Sequence, residues 1–598
     1  MSSKSGKKEK LSKQSAAQFF SEHQQIAGFD NPGKSLFTTI REFVENSLDA
    51  AESMHVLPDI ELTVEEFSEA EHNSLHGIKT GTVRSKTAED DDDEDVPDKP
   101  APKSKSTKGK DGKEGREQMY YLIRCTDNGC GIPEENIGDM LGRVLSGSKH
   151  GIRQTRGKFG LGAKMALIWS KKSSGLPIQI RTAHSSSAST VPSTVTAVTL
   201  DIDIYRNEPR ILKRQVSPNK EGWRGAEITV TIAGHWGNYR SRVLQYFQQL
   251  AVITPYAKLA VDFKCHRDGK KSFRADFERR SEQMPSIAQE IDPHPKSLNN
   301  ITLSNLLQSS SANIEKFLAS ELSGITAPVA ARLASTLGIS QRPARSLQAA
   351  QVAALIQALR DERQIKPPSA QCLSPAGEYN MRLGVMKELK PKMVATFSDK
   401  SGAHEGHPFL VEAAISLGGT QVREGINVYR FANRIPLLFE AGADVVTQVA
   451  SKRINWSSYH IDPKKDNIGV YVSIVSTKIP FKGTSKEYVG EDVTELFQSV
   501  KRALQGCCQQ LRVNLAKSLA LKEEAERRKT LVKYIPNISK ALFTVLQKME
   551  AKNSANTSSS SSSSKLTASS EVLKVLLEVS KQELSEDSLA SCLQKAVD

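Results

Sequence analysis

Glu42, Asn46 and Asp49 stand in the segment Ser35 to Ala51, SLFTTIREFVENSLDAA. Stepped at about 100° per residue from Glu42, Asn46 falls at about +40°, Asp49 at about −20° and Glu45 at about −60°. Leu36, Phe37, Ile40, Phe43, Val44, Leu48 and Ala51 fall between roughly 100° and 240°. The segment is therefore an amphipathic helix with carboxylate, amide and carboxylate opposite a continuous apolar stripe. An ordinary surface helix also carries polar residues, but it more often scatters lysine among them. An acid and an amide at i, i+4 can share one magnesium–phosphate–water cluster: the amide oxygen is a neutral hard ligand, and the carboxylate can take a proton from an attacking water.

Two further segments carry chemistry. In Tyr120 to Ile132, YYLIRCTDNGCGI, a strand rich in Tyr, Leu and Ile runs into Asp127-Asn128-Gly129-Cys130-Gly131. A tight turn accounts for Asp-Asn-Gly; the second glycine exceeds what a turn needs and lets a flat ligand approach the backbone. Asp127, at the strand end, is placed to accept a hydrogen bond from an exocyclic amine. Gly157-Lys158-Phe159-Gly160-Leu161-Gly162-Ala163-Lys164 then leads into the apolar run Met165 to Trp169. Its glycines follow neither the P-loop nor the Rossmann order. A glycine triplet before a helix is still a candidate phosphate cradle built from backbone N–H groups, and Ser148 and Lys149 upstream add a hydroxyl and a cation.

The elements that must position these residues change in texture along the 598 residues, a length that implies two to four domains. Residues 15–235 mix helix and strand. Residues 297–364 are mostly helical, with apolar i, i+3, i+4 patterns in Ala327 to Leu337 and Leu347 to Leu359. Strand signals return from Pro375 to Val475 (Ile426 to Phe431, Val470 to Val475), and a long helix is expected from about Asp492 to Lys533. Residues 86–117, opening with the acidic block Glu89 to Asp95, read as a disordered insertion within a domain. The serine run Ser558 to Ser564 separates an amphipathic tail, Glu571 to Val597, from the body. Pro367 and Pro368 mark a candidate domain start.

Composition excludes some classes. The formal charge of +14 suits a phosphate-rich partner, although many soluble proteins are basic. Seven cysteines, an odd count without a C-x-x-C pair, read as reduced thiols inside the cell. Met1 to Lys13 lacks the apolar core of a secretory signal, and no apolar run is long enough to span a bilayer. Lys7 to Lys10 is a short basic cluster of the sort a nuclear address uses. His404-Glu405-Gly406-His407 has its histidines at i, i+3 in a Gly/Pro-flanked loop, which favours an exposed turn over a metal motif. Asp201-Ile202-Asp203 alternates as a strand with one wet face.

The three boxes in this order resemble the GHKL ATPases, whose nucleotide (Bergerat) fold is an α/β sandwich: Glu42 and Asn46 match the first box, Asp127, Gly129 and Gly131 the second, and Gly157 to Lys164 the lid. REFVENSLDA (Arg41 to Ala50), GKFGLGAKM, FANRIPLLF (Phe431 to Phe439) and STKIPFKGTSKE (Ser476 to Glu487) narrow the resemblance to the family of topoisomerase VI B subunits in its plant-type form, over roughly residues 15–525. The resemblance implies an α/β multidomain chain: a basic N-terminus (1–14), a GHKL ATPase domain (15–235, insertion 86–117), a helix-two-turn-helix region (236–370), a transducer with a long C-terminal helix (371–535) and a linker and tail (536–598). It implies ATP and Mg²⁺ as cofactors, Glu42 as general base, Asn46 as Mg²⁺ ligand and Asp127 as reader of adenine. Ser148, Lys149 and Gly157 to Lys164 would hold phosphates. A transducer lysine would reach the γ-phosphate; Lys486, in a Gly/Ser loop that can swing, is favoured over Lys478 at a strand end. Implied partners are the tyrosine-bearing A subunit of topoisomerase VI in an A₂B₂ heterotetramer, a second copy through the ATPase domain, and double-stranded DNA, with no membrane. The implied location is the nucleus and the implied process endoreduplication. A GHKL clamp or chaperone is the alternative. A scaffold with degenerate boxes is disfavoured because these boxes are intact.

Overall fold

The computed structural model describes residues 14–77, 118–146, 151–157, 160–483, 486–557, 578, 581 and 584–597. The acidic insertion, the serine run and four of the expected phosphate contacts, Ser148, Lys149, Lys158 and Phe159, lie outside the described residues. The chain divides into two units, Met1–Cys508 and Gln509–Asp598.

The first unit begins with helices α1 (Ala16–Glu22) and α2 (Pro32–Ser53). Asn31 starts α2 by accepting the Lys34 N–H through its side chain at 2.9 Å, and Pro32 occupies the first turn, where its missing N–H costs nothing. The strands are β1 (Asp59–Ser68), β2 (Met119–Asp127), β3 (Ile178–Ala183), β4 (Thr194–Asp203), β5 (Glu208–Pro218), β6 (Gly225–Gly234), β7 (Lys258–Cys265) and β8 (Phe273–Phe277), with helices α3 (Glu69–Leu75), α4 (Ile137–Gly142), α5 (Gly162–Ser173) and α6 (Trp236–Ile253) between them. They form one eight-stranded sheet in the order β5-β4-β3-β6-β2-β1-β7-β8. The apolar stripe of α2 (Leu36, Phe37, Ile40, Phe43, Val44, Leu48) packs with α5 and α6 against Ile60, Leu62, Ile123, Ile180 and Val230 of the sheet. This is the α/β sandwich that the resemblance implies.

The sheet does not end at residue 235 as expected. Strand β7 pairs in parallel with β1, from Asp59↔Lys258 to Glu66↔Cys265, and β8 closes the edge antiparallel to β7. A parallel partner must return through a crossover, here including α6, and nothing in local composition marks that return.

Helices α7 (Asn300–Ser309), α8 (Ile314–Ser320), α9 (Ala327–Thr336) and α10 (Ala349–Asp361) bury their own core, including Leu303, Phe317, Leu333 and Leu355. The chain then forms α11 (Glu378–Leu389), β9 (Met393–Ser398), β10 (Gly402–His404), β11 (His407–Leu417), β12 (Gly425–Ala432), β13 (Ile435–Pro436), α12 (Val445–Lys452), β14 (Asn467–Ser476), β15 (Phe481–Lys482) and β16 (Tyr488–Val489). Strands β10-β11-β14-β12-β13 lie in that order with β9 on β11, and the central β12/β14 pair is parallel. The two α/β layers join where α6 meets α11: Val252 and Ile253 share a core with Met381, Val385, Phe431 and Tyr471, and a side chain at Gly384 would fall 2.0 Å from the Val252 carbonyl.

The last helix of this run, α13 (Thr494–Thr557), continues through Pro536 well past the expected end at Lys533. Within the first unit, Ser499 and Arg502 bind Asp399 at 2.5 and 2.7 Å and Gly506 lies against Phe397. The second unit holds the remainder of α13 and a tail helix α14 (Glu586–Val597).

The motifs set aside on sequence grounds occupy ordinary places. His404 to His407 is the β10–β11 hairpin turn, with Glu405 and Gly406 at φ 47° and 77°. His407 itself is buried, its Nδ1 3.0 Å from Thr477 Oγ1, so that end of the turn is not exposed as expected. Asp201 is likewise buried and paired with Lys171 at 2.6 Å. Among the described residues no cluster of His, Cys, Asp and Glu could hold a metal ion, no two cysteines form a disulfide, and no helix is long and apolar enough to cross a membrane.

Candidate functional site

Asp127 ends β2, where alternation turns its side chain inward. One carboxylate oxygen accepts the Gly129 N–H at 2.9 Å and the Ala226 N–H at 3.1 Å; the other accepts the Ser47 hydroxyl of α2 at 2.9 Å. Burial pushes the carboxyl up to about 6, against the pull of these three donors. The glycines around it are steric necessities. A Cβ on Gly129 would sit 2.6 Å from Ala50 Cβ; Gly131 has φ +69°, and a Cβ there would sit 2.7 Å from the Ala183 carbonyl. Neither glycine of the D-x-G-x-G box is therefore mere turn chemistry.

On α2, Glu42, Asn46 and Asp49 share the face away from the core, as the periodicity requires. Arg41 Nη2 donates to Glu42 Oε1 at 2.9 Å and lies 3.5 Å from Glu45 through Nε. Burial and then the neighbouring Glu42 charge push Glu45 up to about 7, against Arg41, Lys486 and Arg156. Gly162, the first residue of α5, faces Glu42: a Cβ there would lie 1.9 Å from Glu42 Oε2. Gly157 faces Asn46, whose Oδ1 would lie 3.9 Å from a Cβ at that position. The lid glycines thus lie against the acid and the amide of the first box.

Lys164 is buried and its ammonium donates to Ser146, to both the carbonyl and, at 3.2 Å, the hydroxyl oxygen. Burial lowers it to about 8. Leu161 and Ala163 pack against the first core, and Gly160, at φ +58°, lies against the Ser146 carbonyl.

A buried charge network below this face was not anticipated from the sequence. Arg156 grips Glu52 with both terminal nitrogens, at 2.7 and 2.8 Å, and Asp49 with one, at 3.0 Å. Arg434 of the second sheet binds the same Glu52 at 2.6 Å, and the Tyr256 hydroxyl donates to it at 2.6 Å. Burial alone would raise the Glu52 carboxyl, but Arg156 and then Arg434 hold it down at about 2. Asn433, beside Arg434, bonds Thr155 and the end of β14. The sequence did contain a signal: Asn433 and Arg434 lie in FANRIPLLF, a segment that carries the resemblance but had no assigned role.

The two lysine candidates part company. Lys486, from the loop between β15 and β16, reaches across to the Arg156 carbonyl at 3.0 Å. Lys478 points to solvent, where it pairs with Glu405 at 3.2 Å. One cavity of about 560 Å³ is lined by Glu42, Asn46, Asp49, Asp127, Gly131, Gly157, Gly160 to Lys164 and Lys486, but not by Lys478. Ile132, Met140, Leu141 and Ile228 supply apolar wall. That volume and mixture are those of a small-molecule pocket. A buried acceptor, an apolar wall, a glycine-lined segment and an acid–amide pair fit the parts of a magnesium nucleotide.

Comparison with known proteins identifies the family. The family described as "Topoisomerase VI B subunit, transducer" matches residues 368–528. The chain is 45% identical to the B subunit of DNA topoisomerase 6 from Arabidopsis thaliana, covering 100% of this chain and 90% of the relative. It is 43% identical to the B subunit of DNA topoisomerase 6 from Oryza sativa subsp. indica, over 90% of this chain and 79% of the relative. It is 30% identical to the B subunit of type 2 DNA topoisomerase 6 from Saccharolobus islandicus, over 90% and 91%. The chain belongs to the family of DNA topoisomerase VI B subunits, and the chaperone-type alternative is set aside.

Proposed function

We propose that this chain is the ATP-binding and ATP-hydrolysing component of a type IIB DNA topoisomerase. It would drive passage of one DNA duplex through another together with a tyrosine-bearing A subunit in an A₂B₂ assembly, pairing with its own second copy through the first α/β layer. The observation that supports this most is that the polar face of α2, Asp127 and a lysine of the second sheet's connections all line one cavity. Asp127 would accept the adenine amine, and Asn46 would hold Mg²⁺ through its amide oxygen. Gly157, Gly160 to Lys164 and, outside the described residues, Ser148, Lys149, Lys158 and Phe159 would hold the phosphates. Bound magnesium supplies charge neutralisation at the phosphates.

The chain's own residues do the rest. Glu42 takes a proton from water, and Arg41 orients its carboxylate. Lys486 reports occupancy to the second α/β layer, because it is carried by the β15–β16 loop, which Val489 ties to Asp444 of that layer. The basic cluster Lys7 to Lys10 supports a nuclear location. The test is relaxation of supercoiled DNA by the chain mixed with a tyrosine-bearing A subunit. ATP-dependent relaxation is expected with both present and none with either alone. ATP-independent relaxation, or wild-type ATP turnover in Glu42→Gln, would sink the assignment.

A further inference from the structure

The loop that carries Lys486 is tied to the rest of the molecule at points the chemistry above does not use. Lys486 has φ +55°, a left-handed backbone that an L side chain rarely adopts. That conformation sends two consecutive side chains to different places. Lys486 goes to the cavity and the Arg156 carbonyl, while Glu487 accepts from Lys34 Nζ at 2.8 Å. Lys34 lies in the first turn of α2, two turns before Glu42. It is held there by Asp30, one turn back, and by the ring of Phe439 at 5.7 Å. Its side chain and that of Glu487 are only 18% and 16% exposed, so the pair is shielded from the screening that weakens surface ion pairs. Two residues on, the Val489 N–H donates to Asp444 at 3.0 Å, and Asp444 is buried against Arg430. The second tie stays within the second α/β layer. The Lys34–Glu487 tie crosses from that layer to the helix bearing Glu42.

We infer that Lys34 and Glu487 are positioning residues that hold the loop of Lys486 against helix α2, so that the Lys486 ammonium stands in the cavity beside the Glu42 face. This rests on the nucleotide reading of the cavity. Neither residue lines that cavity, and neither would touch its contents. A misplacement of about 1 Å in a positioned group costs up to about a hundredfold in rate, so losing one of two ties is expected to cost about tenfold.

The experiment measures ATP turnover and nucleotide affinity of the full chain, with thermal melting as a fold control, for Lys34→Glu, Glu487→Lys, the double swap and Lys34→Arg. Each single reversal should lower kcat about tenfold while leaving nucleotide affinity within about twofold. The swap and Lys34→Arg should recover most of the rate. In a Lys486→Ala background, Glu487→Lys should have no further effect. Full rates in both single reversals, or a double swap no better than its parts, would overturn the inference. So would a Glu487→Lys loss of equal size in the Lys486→Ala background. If the wild-type chain bound no ATP, the nucleotide reading would fall instead, and the two failures are thereby distinct.

Discussion

Arg156 and Glu52 meet in a two-pronged buried ion pair, 2.7 and 2.8 Å long, that joins the base of the lid to the end of α2. Arg434 completes it from the second sheet. Removing the carboxylate would leave Arg156 with Asp49 alone and Arg434 with no carboxylate, so Glu52→Ala should cost about 3 kcal/mol of folding stability, read by urea denaturation. Arg434→Met, which leaves Arg156 to neutralise Glu52, should cost less.

The same carboxyl predicts acid sensitivity. It sits at about 2 in the folded chain against an ordinary 4.5, so its stabilising contribution is full above about 4.5 and is lost as pH falls toward about 2. Denaturation midpoints measured across that window should fall more steeply in the wild type than in Glu52→Gln. Parallel curves would refute this role for the carboxyl.

Asp127 should show the opposite shift in binding. Its carboxyl is raised to about 6 by burial, so its capacity as a charged acceptor falls as pH drops through that value. ATP affinity measured by calorimetry should weaken below about pH 6. Asp127→Asn should cost about 1.5–3 kcal/mol of binding at neutral pH and remove that pH dependence.

Two glycines should behave differently when replaced by alanine. At Gly162 the added methyl meets the flexible end of Glu42, 1.9 Å from Oε2; the side chain yields, the fold survives, and ATP turnover falls about a hundredfold. At Gly225, φ is +138° and the methyl meets the Asp127 backbone carbonyl at 2.0 Å. There the backbone must move, and about 1–3 kcal/mol of stability should be lost along with nucleotide affinity.

Lys486→Ala should reduce ATP turnover at least about tenfold, with Lys478→Ala within about twofold of wild type. A dead Lys478→Ala beside an active Lys486→Ala would reverse the choice between them.

The local parts of this site were legible because their chemistry is written in consecutive residues. The face of α2 follows from periodicity alone, and the glycines near Asp127 follow from the need for close approach. The Glu52 hub was legible in principle, since Glu52 falls at about −80° on the same wheel, beside Glu45. What sequence could not supply was its partners, Arg156 and Arg434, which come from a loop and from a second sheet nearly four hundred residues away. Lys164, read as a phosphate contact, lines the cavity, and its ammonium also donates to Ser146, a partner that no local pattern announces. The long helix also outruns its expected end. A proline usually stops a helix, yet α13 carries through Pro536.

The parallel pairing of β1 with β7 has a consequence for how the chain comes to be made. During synthesis the strand Asp59–Ser68 emerges about two hundred residues before its partner Lys258–Cys265, a non-local closure of the kind that slows folding. Until then one rim of β1 presents unpaired backbone groups, a template for association with other chains. A truncation at residue 235, a natural place to cut on composition, should therefore give an aggregating product, whereas one that extends past Phe277 should stay dispersed.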